Sequence, residues 1–410
     1  MIKLNTDIVR SNFPGLKNNW VFLDNAGGTQ TARQVGDNIN DYLFNSNVQL
    51  GASYEISQKA GKRVYKSQKI WAEAINASSA SEVVFGSSTT ALLQNLSISM
   101  VQQFKPGDEV IVTNSDHEAN IGPWVSMERF GVIVKFWEIN PETYTLELED
   151  LAKLMSKNTK LVAFTHVSNI LGTINPVEQI TKFVHKHGAL VCVDGVAYAP
   201  HRLVDVTKWD VDYYVFSLYK VYGPHYSILY GKKNHLRKLA GINHFFIDNN
   251  EVPYKLQPGN VNFELTYGSK GIIDYFDKVY SAHFEDASLP LFSKLENVFN
   301  LIATYEEELA KPLIMFLNNK KGVNIIGDTR TDKNIRIPTI SFTIENRKSS
   351  QIPILVDPAK IGIRWGDFYA RRLINGLNLS DKDGVIRASM VHYNTLEEVE
   401  RLIAILDNIL

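Results

Sequence analysis

Short apolar runs alternate with helix-patterned stretches through the first two-thirds of the chain. "EVVFG" (82–86) leads into "STTALLQNLSISMVQQF", and "DEVIVTN" (108–114) leads into "DHEANIGPWVSMERFG". "VIVKFWEI" precedes the polar, helix-patterned "LELEDLAKLMS". "KLVAFTHV" (160–167) precedes "NPVEQITKFVHKHG", with "ALVCVDG" (189–195) directly after it, and "VDYYVFS" and "YSILYGK" complete the set. Runs rich in Val, Ile and Phe belong to strands buried on both faces, and the helices between them belong to crossovers of a mostly parallel sheet. The pattern predicts an α/β fold: a large domain over residues 20–265, its sheet covered by helices on both faces.

The remainder is patterned differently. "LFSKLENVFNLIATYEEELAKPLIMFLNN" predicts a long amphipathic helix, bent or broken at Pro312. Separated strands follow ("VNIIG", "TISFTI", "IGIRW", "GVIRAS"). The last helix, "TLEEVERLIAILDNIL", begins with a capping box of Thr395 and Glu398 and carries an apolar stripe at Leu396, Val399, Leu402 or Ile403, and Leu406. These elements predict a smaller α+β domain over 266–410, with residues 1–19 an N-terminal segment packing on it.

Composition narrows the partners. The 410 residues are 44% hydrophobic and 21% charged, with net charge −1, so there is no basic surplus for nucleic acid or an anionic membrane surface. The opening "MIKLNTDIVRSNFPGL" lacks the apolar core of a signal peptide, and no apolar run reaches bilayer length. A cytoplasmic protein with no membrane partner is expected. The one cysteine, Cys192, excludes an internal disulfide and a Cys-based metal site, and no metal is expected.

In an open parallel sheet, ligands collect at the carboxyl ends of the strands. The residues there are Ser88 and Thr89 opening a helix, His117 after "VIVTNSD", Asn169 after "FTHVS", Asp194 after "VCV", and Ser217 to Lys220 after "YYVF". Singly, each has an ordinary reading: a helix cap, a packing histidine, a turn aspartate, a snorkelling lysine. Together they match the needs of pyridoxal phosphate. That cofactor requires a lysine for its Schiff base, a carboxylate to keep its ring nitrogen protonated, a helix N-terminus with hydroxyls for its phosphate, and a planar side chain on its ring. Lys220, Asp194, Ser88 with Thr89, and His117 supply those parts.

"VFLDNAGGTQ", "DHEANIGPW", "THVSNILGTINPVEQI", "VDGVAYAPH", "FSLYKVYGP" and "VIRASMVHYNTLEEVERL" resemble the class V aminotransferase family of fold-type I pyridoxal-phosphate enzymes, closest to its cysteine-desulfurase-like branch. The resemblance runs from about Phe22 to the C-terminus. It implies that Lys220 carries the cofactor as an imine, Asp194 pairs with the ring nitrogen and His117 stacks on the ring. It also implies that Asn169 lies near the ring hydroxyl and the substrate carboxylate, and that Ser217, Ser88 and Thr89 hold the phosphate. Arg387 in "VIRAS" would grip the substrate α-carboxylate. Gly259 and Asn260 in "QPGNVNFE" would lend phosphate contacts across a homodimer interface.

The departures from that branch bear on the reaction. Tyr219 stands where its serine-x-histidine-lysine run has histidine, and its phenol can still donate to phosphate. Ala197 stands where a glutamine would contact the ring hydroxyl. In "IGIRWGDFYARRL" the Arg-x-Gly motif is present as Arg364 and Gly366, but Tyr369 occupies the position of the nucleophilic cysteine. Tyr369, Asp367 and Trp365 are expected in the loop that covers the substrate and shapes selectivity. Cys192, inside a strand, is expected to be a small buried apolar residue. The expectation is an enzyme that acts on a small amino acid through an external aldimine and a Cα carbanion, with elimination of C–S lyase type rather than persulfide transfer. Transamination, racemisation or epimerisation, and a non-catalytic cofactor-binding scaffold are the alternatives.

Overall fold

The computed structural model describes residues 2–410. A two-residue strand, β1 (Val21–Phe22), comes first. The main sheet is built from β2 (Val83–Gly86), β3 (Glu109–Thr113), β4 (Ile133–Trp137), β5 (Thr159–Thr165), β6 (Leu190–Asp194), β7 (Tyr213–Ser217) and β8 (Ser227–Gly231). Its strand order is β2-β8-β7-β6-β5-β3-β4. All pairings are parallel except those of β8, which runs antiparallel to both β7 and β2. The short connection 218–226 leaves no room for a crossover helix, so β8 must return as a hairpin partner.

Alternate residues of each strand feed two different cores, as the period of a strand requires. Val84, Val110, Val112, Leu161, Ala163, Cys192 and Val215 pack on one face with Leu92, Leu93 and Leu96 of the helix Thr89–Val101. Phe85, Ile111, Val162, Phe164, Val193 and Phe216 pack on the other with Ile180 and Val184 of the helix Val177–Lys186. Helices cover both faces, and the chain has the α/β architecture of fold type I.

The helices Arg33–Asn45, Glu55–Ala74 and Phe263–His283 lie together outside the sheet. A Cβ at Gly271 would come within 2.5 Å of the backbone of Gln34 and Val35, so only glycine permits this approach. Trp71 Nε1 donates to Ser269 Oγ at 2.9 Å across the same contact.

The later strands are β9 (Val323–Ile326), β10 (Thr339–Ile344), β11 (Ile361–Gly362), β12 (Arg364–Gly366) and β13 (Val385–Ser389). Four of them form an antiparallel sheet in the order β12-β13-β10-β9, while β11 pairs in parallel with β1. The register sets Arg364 opposite Arg387. Arg10 ties the N-terminal helix Thr6–Ser11 to Tyr393 O at 2.7 Å and Glu398 at 2.9 Å.

Three local expectations are met differently. The helix Leu291–Asn318 runs unbroken through Pro312. Proline costs one backbone bond there, but Leu309, Leu313, Ile314 and Leu317 are all buried against the C-terminal sheet and hold the turn. The stretch after His117 is not one helix but short turns, Glu118–Asn120, Gly122–Val125 and Ser126–Phe130. Pro123 has no N–H to donate back to the preceding turn, so the run is interrupted there and a new short helix starts at Gly122. In the last helix, Leu396–Ile409, the capping box forms between Thr395 and Glu398, and Val399, Leu402 and Leu406 are buried, but Leu396 is exposed.

Candidate active site

The carboxyl edge of the main sheet holds a pocket lined by Ser88, Thr89, His117, Asn169, Asp194, Ser217, Tyr219 and Lys220. Eight sequence-predicted residues therefore converge from five strand ends. Ala197, Thr165 and Val196 complete its walls.

Lys220 sits in a single 3-10 turn, Leu218–Lys220, directly after β7, and is buried. Burial and the nearby Arg387 guanidinium pull its amine down to about 8, against a smaller opposite pull from Asp194. Asp194, the last residue of β6, is also buried, and burial pushes its carboxyl up to about 6 even though Val196 N donates to Oδ1 at 2.8 Å. A buried carboxylate in this state favours a cationic N–H partner. His117 accepts from Ala119 N through Nδ1 at 3.0 Å, which leaves the proton of the neutral ring on Nε2. Burial and then Lys220 hold the ring down to about 4, so it is neutral and its flat face is available to the pocket.

Ser88 caps the helix Thr89–Val101 by accepting from Ala91 N at 3.1 Å. Behind it, Thr89 Oγ1 and Ser217 Oγ lie 2.7 Å apart, and Ser217 Oγ and Ser227 Oγ 3.1 Å apart. Free amide donors of a helix N-terminus beside hydroxyls make an anion cradle. Asn169 donates through Nδ2 to Phe368 O at 2.9 Å, while its buried Oδ1 has no partner. That orphaned acceptor, the hydroxyl cradle, and Lys220 and Asp194 on the wall of one pocket fit pyridoxal phosphate.

Arg387 is buried beside the pocket. It donates to Asn169 O at 3.1 Å and to Asp24 Oδ1 at 3.0 Å, and its guanidinium lies 3.7 Å from the centre of the Phe368 ring. Its Nε has no partner. Arg364, exposed, reaches the other oxygen of Asp24 at 3.4 Å. Tyr369 is exposed and tilts over His117 with ring centres 5.3 Å apart. Asp367 accepts from Tyr369 N at 3.0 Å and from Arg371 at 3.1 Å, within its own loop and not in the pocket. Gly259 and Asn260 form an exposed turn with φ of 75° and 85°, and Asn260 lines a separate groove with Gly86 and Ser87. The structure does not bring them to the pocket of their own chain.

Some site residues had no sequence argument. Asp24 lies within the motif "VFLDNAGGTQ", but only the fold reveals that it bridges Arg364 and Arg387. Phe368 carried no signal, because its role depends on left-handed backbone at both Phe368 (φ 50°) and Tyr369 (φ 60°). Asp116 is fully buried, accepts from Thr113 Oγ1 at 2.8 Å, and is pushed well up by burial and by the charge of Asp194. Cys192 is buried in the sheet and its thiol is pushed well up by burial.

The chain matches the family model described as aminotransferase class-V over residues 21–402. It is 41% identical to an aminotransferase-like protein of Gibberella zeae, covering 98% of each chain. It is 30% identical to a cysteine desulfurase-like protein of Aspergillus flavus, covering 99% of this chain and 91% of that one. Its fold matches the apo structure of a cysteine desulfurase from Thermococcus onnurineus NA1 with a TM-score of 0.87 at 24% identity, covering 100% of this chain and 98% of the other.

Proposed function

This chain belongs to the class V aminotransferase family, whose cofactor is pyridoxal phosphate, and from that premise we propose that it is a lyase which removes the β-substituent of an amino acid. The observation that carries this reading is Lys220: a buried amine held down to about 8, in one pocket with Asp194 and His117, with no thiol in reach to accept sulfur. Bound pyridoxal phosphate supplies a carbonyl that condenses with amines and a ring that draws electrons from the substrate Cα.

In this reading Lys220 Nζ anchors the cofactor between turnovers and, once free, takes the proton from Cα. Burial and Arg387, which pull this amine below the usual lysine range, favour the neutral form a general base requires. Asp194 would hold the proton of the ring nitrogen. His117, neutral, would cover the ring and exclude water there. Ser88, Thr89 and Ser217 would hold the phosphate, with Tyr219 at the pocket wall. Asn169 Oδ1, without a partner in the protein, would accept from the ring hydroxyl. The free Nε of Arg387 takes the substrate carboxylate, and Asp24 and Phe368 fix the guanidinium for it. The Cβ–substituent bond would then break with its electron pair on the leaving group, which takes up the proton Lys220 removed from Cα, and the three-carbon enamine left behind would be hydrolysed by one water to pyruvate and ammonia.

Persulfide transfer requires an exposed thiolate near the substrate. Cys192 is enclosed in the sheet, and Tyr369 presents a phenol over His117. Borohydride reduction of the holoenzyme should fix the cofactor on Lys220 by peptide mapping, and L-cysteine or L-cystine should yield pyruvate and ammonia in equal amounts. Keto-acid formation with the amino group retained on the cofactor would overturn elimination in favour of transamination.

A further inference from the structure

Lys220 and Arg387 stand on different sheets: the first follows β7 of the main sheet, the second lies within β13 of the antiparallel sheet. An amino acid held at both tolerates little change in their separation. A buried chain of hydrogen bonds joins the two segments. Tyr222, just after Lys220 in the sequence, meets His392, which follows β13, with Tyr222 Oη 3.0 Å from His392 Nδ1. On the other side of the imidazole, Tyr275 Oη lies 2.6 Å from His392 Nε2. Tyr222, Tyr275 and His392 are all fully buried.

Each proton in this chain has one place to be. Tyr222 donates its single hydroxyl proton to Pro200 O at 2.8 Å, so towards His392 its oxygen accepts. Burial holds the His392 ring down to about 4, against the opposite pull of Glu306, so it is neutral and carries one N–H. That proton sits on Nδ1 and points at Tyr222, while Nε2 accepts from the Tyr275 hydroxyl. Every partner is satisfied, as a buried polar chain requires. Pro200 lies beyond β6, so its bond keeps Tyr222 with the main sheet. The His392 bond crosses to the segment that carries Arg387.

The turn that this bond steadies needs restraint. Tyr222 has left-handed backbone (φ 62°), which a bulky residue keeps only where its surroundings impose it. Its N–H donates to Thr29 Oγ1 and its carbonyl accepts from Ala32 N, both at 2.9 Å. We propose that His392 is a positioning residue: through the Tyr222 hydroxyl it fixes the turn of Lys220 at the distance from Arg387 that a substrate's amine and carboxylate require. This rests on the reading above in which Lys220 carries the cofactor and Arg387 takes the carboxylate.

The test titrates purified holoenzyme with L-alanine and with ethylamine, and reads affinity from the shift of the cofactor band. Both ligands bring a primary amine and neither has a β-substituent to lose, but only alanine has a carboxylate for Arg387, so the native protein should prefer it. In His392→Asn the amide takes the place of Nδ1 and keeps the bond to Tyr222. In His392→Gln it takes the place of Nε2 and keeps only the bond to Tyr275. Each variant loses one buried hydrogen bond, so a merely structural role would treat the two alike. His392→Gln should instead cut the preference for alanine tenfold or more with ethylamine unchanged, while His392→Asn keeps it within about threefold. Should His392→Gln fail to retain the cofactor band, Tyr222→Phe severs the same bond from the other side and should give the same loss. Equal preferences in the two His392 variants, or a loss shared by both ligands, would overturn the inference. Arg387→Gln checks the reading beneath it. Preference lost there but kept in His392→Gln leaves the carboxylate assignment standing and removes the role of His392, whereas preference kept in Arg387→Gln removes both.

Discussion

Asp194 shows how a single buried group stores the need for a ligand. In the protein without cofactor its carboxyl sits at about 6 against an ordinary 3.8. The folded state therefore holds a proton that the unfolded chain releases first. Stability of the apoprotein should fall as pH rises from about 4 to about 6, by about 3 kcal/mol if the whole shift is realised. In the proposed site the cofactor would bring a cationic N–H to this carboxylate, so the gain in Tm on adding pyridoxal phosphate should be larger at pH 7.5 than at pH 5. Thermal melts with and without cofactor at the two pH values check this, and an equal gain at both would contradict it. Asp194→Asn should flatten the apoprotein's dependence.

At the scale of elements, the close helix packing behind the sheet depends on missing side chains. The helix Phe263–His283 approaches the helix Arg33–Asn45 until Gly271 lies against the backbone of Gln34 and Val35. Backbone cannot yield as a flexible side chain can, so Gly271→Ala should cost about 1–3 kcal/mol or more, read as a lowered midpoint of denaturation. Restored stability is not expected from Gly271→Ser, which carries the same Cβ. By contrast Gly36, with open space where its Cβ would stand, should accept alanine with little change or a small gain.

At the scale of the molecule, Gly259 and Asn260 point outward in a turn that serves nothing in their own chain's pocket. We propose that they complete the phosphate site of a second copy in a homodimer. Sedimentation of the holoenzyme should give twice the chain mass, and Asn260→Asp, which sets a carboxylate against phosphate, should weaken cofactor affinity tenfold or more without changing the dimer; a monomeric holoenzyme would refute the arrangement. The main sheet was legible because its strands are buried on both faces and so read as unbroken apolar runs. The pocket was legible because Ser88, His117, Asn169, Asp194 and Lys220 each end a strand or follow one closely, and the topology brings all those ends to one edge. Asp24 and Phe368 were not, since their roles come from pairings between distant segments: β1 with β11, and Arg387 with the loop after β12. The course of the helix through Pro312 was hidden for a similar reason, as tertiary burial of Leu313 and Leu317 decides it.

The reversed strand β8 has one more consequence. Lys220 lies in the connection between β7 and β8, and each of these strands is hydrogen-bonded on both sides, β7 to β6 and β8 to β2. Most catalytic loops can open while the body of a protein stays folded. This one is fastened at both ends to interior strands of the sheet, so it cannot swing away as a unit unless the sheet itself comes apart. Hydrogen exchange over the strands 213–217 and 227–231 should therefore be among the slowest in the molecule and proceed at the rate of global opening, while the exposed His225 exchanges sooner.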